Sequence, residues 1–284
     1  FAAKKMNVDR KSLGVLTLYF FQPVVIFGFI LELDFQPAYI ILPVFLYIIT
    51  VIIGTIFLHI GKYVFKDMQA NIMALCSSMS NMGYLGLPLV ILFFDEKIVA
   101  LYIFMTLGGT LVESTFGYYI AARGTYDITQ SFKKILTLPA IYAIILGFLF
   151  KSIDLGAPDF FWTYWSYFKG AYIIVGMMIV GAALTTVQKF VFGPYFLTLT
   201  FIGKFIIFPL LSYGFIILDQ NYFGLLSTEI YQFIMILSVL PPAANIATFA
   251  IEMNLQPEKA ATTILMGTIL SMIILPIMII LLGL

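Results

Sequence analysis

Residues 75–90 read LCSSMSNMGYLGLPLV, and residues 237–249 read LSVLPPAANIATF. Each lies inside a run that is otherwise apolar and long enough to cross a bilayer. The first gathers Ser77, Ser78, Ser80, Asn81, Gly83, Gly86 and Pro88 into one short segment, which no regular lipid-facing helix would do. The second holds Pro241 and Pro242, neither of which has an amide to donate, and Pro242 also pushes Pro241 out of α geometry. Backbone groups released by such breaks survive at membrane depth only where protein or a wet cavity satisfies them. The two segments therefore predict two broken helices and a polar interior site.

The surrounding composition fits a membrane. The 284 residues are 62% hydrophobic and 10% charged, against about 25% charged in an ordinary soluble domain. Membrane-spanning helices of roughly 20 apolar residues are expected at 13–31, 39–58, 70–94, 98–121, 135–150, 161–185, 193–218, 228–251 and 260–282. The runs are continuously apolar rather than alternating, which excludes a β-barrel, so the fold class is an all-α polytopic membrane protein. A net charge of +1 excludes a basic nucleic-acid surface. Cys76 and His59 are the sole cysteine and histidine, which excludes a disulfide framework or a Cys/His zinc site. The sequence has no GxxxxGK[ST], HExxH, CxxC or GxSxG pattern, and neither an enzyme nor a cofactor is expected.

Lys and Arg concentrate on one side of these spans, at Lys4, Lys5, Arg10, Lys11, Lys62, Lys66, Arg123, Lys133, Lys134, Lys189 and Lys259, while the other side has Lys97 and Lys151. Cytoplasmic loops retain positive charge, so the N-terminus is expected inside and the C-terminus outside, in the plasma (inner) membrane. Trp162, Tyr164, Trp165 and Tyr167 read as an aromatic belt on the outer side. Each broken segment is followed by a short charged loop and one closing span, so the halves read as repeats. The first would occupy 1–121 with four visible spans, the cytoplasmic linker 122–134, and the second 135–284 with five. An odd number of helices inverts the second copy. The start, FAAKKMNVDRKS, already has cytoplasmic-loop chemistry, so a first helix upstream of it is expected to be missing. Inverted repeats with discontinuous helices meeting near the midplane are a transporter architecture, with half-helix N-termini facing anions.

The strings NMGYLGLPLV at 81–90 and LPPAANIATFAIEMNLQPEKAATTILMGTILSMIILPI at 240–277 resemble the auxin efflux carrier family, which includes plant PIN-type carriers and prokaryotic organic-acid carriers. The resemblance covers essentially the whole chain. It implies an inverted repeat of five-helix units, two crossed broken helices, an elevator-like movement of one subdomain against a scaffold, and a homodimer. The plant-type crossover has a Pro-Asn pair in its first broken helix. Ser80 and Asn81 stand on those positions, so the amide is kept and the proline is not. Pro241 matches the family proline of the second broken helix, whereas Pro242 replaces a position that is polar in plant carriers. The prokaryotic organic-acid carriers are the nearer comparison.

The expected substrate is a small organic anion. Asn81, Ser77, Ser78, Ser80 and Gly83 form one wall of its site, and Ser238, Pro241, Pro242 and Asn245 the other. The alternative for the serines and asparagines is hydrogen bonding between helices. Glu113 and Lys204 lie at similar membrane depth, about eight and eleven residues from the cytoplasmic ends of their spans. An ionisable side chain there needs a partner or water. An ion pair is expected, structural or conformational in role, with a coupling proton as the alternative. Lys169 reads as snorkelling to the interface, His59 as an ordinary loop residue at a helix end, and Gly108, Gly109, Gly176 and Gly181 as close-packing positions. Competing functions are a sodium-coupled bile-acid-type symporter, which requires a denser set of Glu, Gln and Asn ligands, and a membrane sensor, which requires a signalling domain.

Overall fold

The segment ILPVFLYIITVIIGTIFLHIGKYV forms a helix whose Leu42, Phe45, Leu46, Ile49, Ile53, Phe57 and Leu58 are buried, at spacings of one, three and four residues. The opposite face, Val44, Ile48, Ile52 and Ile56, is exposed and equally apolar. A soluble helix would carry charges on that face, and one that is apolar all round belongs in hydrocarbon. In the computed structural model, which describes residues 10–65, 68–121, 139–183, 190–253 and 255–284, the same composition recurs in helix after helix.

The order is α1 (Ser12–Glu32), α2 (Pro37–Val64), α3 (Gln69–Ser78), α4 (Met82–Phe93), α5 (Glu96–Ala121), α6 (Pro139–Ser152), α7 (Asp159–Ala183), α8 (Pro194–Phe223), α9 (Thr228–Ser238), α10 (Asn245–Glu252) and α11 (Pro257–Leu281). The protein is all-helical among the described residues. Helices α1, α2, α5, α8 and α11 are long and apolar enough to cross a membrane, while α4 and α6 are apolar but shorter. The expected spans at 70–94 and 228–251 are each split in two, at the places where the sequence predicts breaks. The expected linker 122–134, the basic residues within it, Lys4, Lys5, Lys66 and Lys189 lie outside the described residues.

Two packing groups emerge. Helices α6 and α7 each pack on α1, which also packs on α5, and α7 packs on α4; α2, α3 and α5 pack together and meet α8 to α11 around the two breaks. Trp165 of α7 is buried, donates to the Val25 carbonyl at 3.1 Å and meets Phe29 edge-on with centroids 4.9 Å apart, so it locks α7 to α1 rather than joining an outer belt. Tyr164 and Tyr167 do face outward. The turn from α8 to α9 is tied by Asp219, whose buried carboxylate accepts from the Leu226 amide at 3.1 Å, the Leu225 amide at 3.4 Å and the Tyr231 hydroxyl at 2.7 Å.

Helix α5 is the most buried of the long spans, and its approach to α2 depends on Gly108. A Cβ at Gly108 would lie 2.1 Å from the Pro43 carbonyl oxygen, a backbone atom that no rotamer change can move. Gly108→Ala is therefore expected to destabilise by about 1–3 kcal/mol through overpacking. Gly170→Ala, where a Cβ meets nothing within 4 Å, should be neutral or slightly stabilising. Thermal unfolding in detergent compares the two, and equal midpoints would mean that the helices do not approach this closely.

Candidate functional site

Helix α3 stops at Ser78 because Met79 turns extended (φ −89°, ψ 132°), and the chain stays non-helical to Asn81 (φ −76°, ψ 68°) before α4 opens with a π-helical turn over Met82–Gly86. Helix α9 stops at Ser238, and the chain passes through Pro241 and Pro242 before α10 begins at Asn245. The two interruptions meet. Ser80 and Pro242 lie opposite one another in a single antiparallel bridge, closed by Asn81 N donating to Pro241 O at 2.9 Å and Ala243 N donating to Met79 O at 3.1 Å. The bonds come from the flanking residues, so Ser80 and Pro242 form a non-hydrogen-bonded pair that asks for no amide from either. A proline fits at that position for this reason.

Other carbonyls at the breaks also find donors. Ser80 O accepts from Met82 N at 2.9 Å and Asn81 O from Gly86 N at 3.0 Å. Met82 O accepts from the Tyr102 hydroxyl at 3.0 Å, Gly83 O from the Tyr172 hydroxyl at 2.9 Å, and Val239 O from the Ser271 hydroxyl at 2.8 Å. Gly267 lets α11 pack on this knot, since a Cβ there would fall 2.5 Å from Pro242 Cδ.

The expected site residues separate into groups. Ser78 and Ser238 turn their hydroxyls back onto their own helices, to Ala74 O at 2.7 Å and Met235 O at 2.6 Å, and Ser77 bonds Thr200 O of α8 at 3.2 Å. The hydroxyls of Ser78 and Ser238 are thus taken up within their own helices, and that of Ser77 joins α3 to α8. Gly83 takes part through its backbone carbonyl. Asn81 is 6% exposed, and its carboxamide forms no hydrogen bond among the described residues. Ser80 accepts from the ammonium of Lys204, which is wholly buried and sits 4.3 Å from the Phe208 ring centroid. Asn245 Nδ2 donates to Glu113 Oε1 at 2.9 Å.

The expected Glu113–Lys204 pair is thus replaced by two separate contacts, each charge binding a neutral residue of a different break. Both charged residues sit in π-helical turns, Glu113–Gly117 and Gly203–Ile207, a distortion common at functional sites. Lys169 does more than snorkel. It pairs with Glu96 at 2.5 Å and lies 4.3 Å from the Trp165 ring centroid. His59 lies within α2 and not in a loop, because the helix runs on to Val64, and its Nδ1 bonds Thr55 O one turn back.

A small cavity lies between α2, α5 and both breaks, lined by Thr50, Met79, Ser80, Gly109, Glu113 and Ala243 among others. Its volume of about 20 Å³ holds little more than a water, so any organic ligand requires the walls to part. Thr50, Tyr102, Tyr172 and Ser271 are absent from the expected set. Their one sequence signal is a hydroxyl inside an apolar run, which the protein's 17 tyrosines make unselective.

A family model described as "membrane transport protein" matches residues 6–279. The chain is similar to an uncharacterized transporter of Methanocaldococcus jannaschii, 27% identical over 175 residues, which is 59% of this chain and 56% of that one. It is also similar to an uncharacterized transporter of Methanothermobacter thermautotrophicus, 24% identical over 208 residues, 72% of this chain and 66% of that one. The match thus spans under two thirds of each relative's length.

The Lys204–Ser80 contact makes a prediction of its own. Ser80→Ala leaves a buried ammonium without its hydroxyl partner and is expected to cost about 1.5–3 kcal/mol. Adding Lys204→Met removes the stranded charge, so the double variant should cost less than the two single changes together, with a coupling of about 1–3 kcal/mol. A thermal double-mutant cycle in detergent measures this, and a coupling near zero would show that Ser80 does not hold the ammonium.

Proposed function

The chain belongs to the membrane transport protein family, the one whose auxin efflux carriers the two motifs resemble, and from that premise we propose that it is a secondary carrier of small organic anions whose substrate site is the crossing of the two broken helices. The observation that carries the reading is the antiparallel bridge between Ser80 and Pro242. It brings the N-terminal ends of α4 and α10 to one place, and the positive ends of helix dipoles favour a carboxylate. Asn81 supplies a neutral carboxamide beside them. Covalent chemistry has no part in this function.

The same reading takes the helices as two inverted five-helix repeats, divided about residues 122–134, in a plasma membrane with the N-terminal side cytoplasmic. Movement is elevator-like, with α1, α6 and α7 as the scaffold and the crossing helices as the moving body. Across that boundary Tyr172 donates to Gly83 O and Lys169 to Glu96, while within the crossing group hydrogen bonds run from Ser77, Tyr102, Lys204, Asn245 and Ser271. A homodimer is part of the proposal by family resemblance alone.

Counterflow in proteoliposomes, with labelled lactate, malonate, malate and indole-3-acetate, tests the reading. Exchange of at least one acid is expected. Asn81→Ala should raise its apparent KM about tenfold, equivalent to one lost hydrogen bond to a charged ligand, with folded yield unchanged. Unaltered kinetics in that variant would take Asn81 out of the site, and no exchange of any acid by monodisperse protein would sink the carrier reading.

A further inference from the structure

We propose that the buried ammonium of Lys204 gives the crossing its preference for a carboxylate, acting through the Ser80 hydroxyl as a positioning residue and not by touching the substrate. The inference rests on the carrier reading above and adds to it the charge that selects the acid. Three observations carry it. Lys204 is wholly buried within the long span α8, and its ammonium donates to Ser80 Oγ. Among the described residues Lys204 forms no ion pair, and its nitrogen lies 4.3 Å from the Phe208 ring centroid. Ser80 in turn lines the small cavity beside the crossing.

An ammonium taken out of water without a counter-ion is costly, and the cost is highest inside a bilayer. A hydroxyl and an aromatic face offset it in part. An anion beside Ser80 offsets it further, so the buried charge of Lys204 becomes binding energy for an acid. Glu113 lines the same cavity, but it accepts from Asn245 and forms no ion pair with Lys204.

The geometry of Ser80 allows the charge to act across it. A hydroxyl accepts through its lone pairs and donates one proton. Ser80 Oγ accepts from Lys204, and among the described residues its own proton has no acceptor. The ammonium draws electron density from that oxygen, which makes the Ser80 proton a stronger donor. A carboxylate in the cavity accepts it, so one hydroxyl separates the positive charge from the negative, and no covalent bond forms or breaks. The flanking bonds, Asn81 N to Pro241 O at 2.9 Å and Ala243 N to Met79 O at 3.1 Å, fix the backbone of Ser80, and a donor already in place costs little to order when a ligand arrives. A neutral amide of the same shape gains far less from a charge-backed donor.

The test uses the full chain in proteoliposomes with the labelled acid that gives counterflow. The unlabelled acid and its amide (lactamide, malonamide, malamide or indole-3-acetamide) compete against it. In wild-type protein the amide should need at least about tenfold more for half-inhibition, the worth of a hydrogen bond to a charged group. Lys204→Gln keeps a donor to Ser80 and removes the charge, and should cut the acid's advantage to about threefold or less by weakening the acid alone. Ser80→Ala, which removes the link, should do the same, and Ser80→Thr, which keeps the hydroxyl, should restore the preference.

A merely structural lysine would weaken acid and amide together, leaving their ratio at the wild-type value, and that result for Lys204→Gln would overturn the proposal. So would a wild-type protein that binds acid and amide equally. If Lys204→Gln does not fold, Ser80→Ala decides: loss of the acid's advantage supports the proposal, and its retention overturns it. Counterflow in which the acid preference ignores both residues ends this inference alone, whereas absence of counterflow ends the carrier reading with it.

Discussion

Inside hydrocarbon a backbone amide or carbonyl that leaves its helix must find another partner, and this constraint organises the molecule. Two helices stop near the middle of their spans, and each supplies what the other lacks. The Asn81 amide reaches Pro241 O, and the Ala243 amide reaches Met79 O. Neither break is self-sufficient, since removing one would strand a donor and an acceptor on the other. The two halves of the chain are thereby joined at one point by main-chain bonds, as strands of a sheet are, although nothing else among the described residues pairs in that way.

Side chains complete what the bridge leaves open, and their origins set how firmly each part is held. Tyr102 of α5 and Ser271 of α11 belong to the helices packed around the crossing, and both donate to carbonyls there. Close approach reinforces them: a Cβ at Gly86 would fall 2.1 Å from the Tyr102 hydroxyl oxygen. Tyr172 does the same service from α7, outside that group. One neutral hydrogen bond contributes about 1 kcal/mol net, so separating α7 from α4 costs far less in directional bonding than opening the knot itself.

Much of this was legible in the sequence, for reasons that differ by residue. Pro241, Pro242 and the polar run around Asn81 announce themselves because they violate what an apolar span requires, and a violation is visible without knowing the neighbours. Tyr102, Tyr172 and Ser271 violate nothing; a hydroxyl in a helix can bond its own turn, as Ser78 and Ser238 do. Their role depends on which carbonyl lies opposite, which only packing decides. Depth along a helix rightly marked Glu113 and Lys204 as needing partners, but depth has no angular component. Each turned to the nearest break, and the pairing expected between them gave way to Asn245 and Ser80. Trp165 was misread for a similar reason. Its place near a helix end suggested the bilayer interface, yet a Cβ at Gly28 would fall 2.2 Å from its indole nitrogen, the mark of a ring buried in a groove cut for it.

The two breaks are unequal in what enforces them. At the second, the break is favoured by the chain itself: Pro241 and Pro242 have no amides to donate, and Pro242 disfavours α geometry at Pro241. At the first, Met79, Ser80 and Asn81 keep their amides and have no ring, and the extended path is held by partners, chiefly the bridge and Lys204 on Ser80. A segment held by partners rearranges when a partner changes, and one held by ring closure does not. The cavity beside the crossing is too small for an organic acid, so entry of any such ligand must move a wall. The wall free to move is the Ser80–Asn81 side, where the carboxamide of Asn81 has no competing bond among the described residues and the ammonium of Lys204 is one hydroxyl away. The first break is thus the compliant side of the crossing, and the two prolines are the fixed surface it faces.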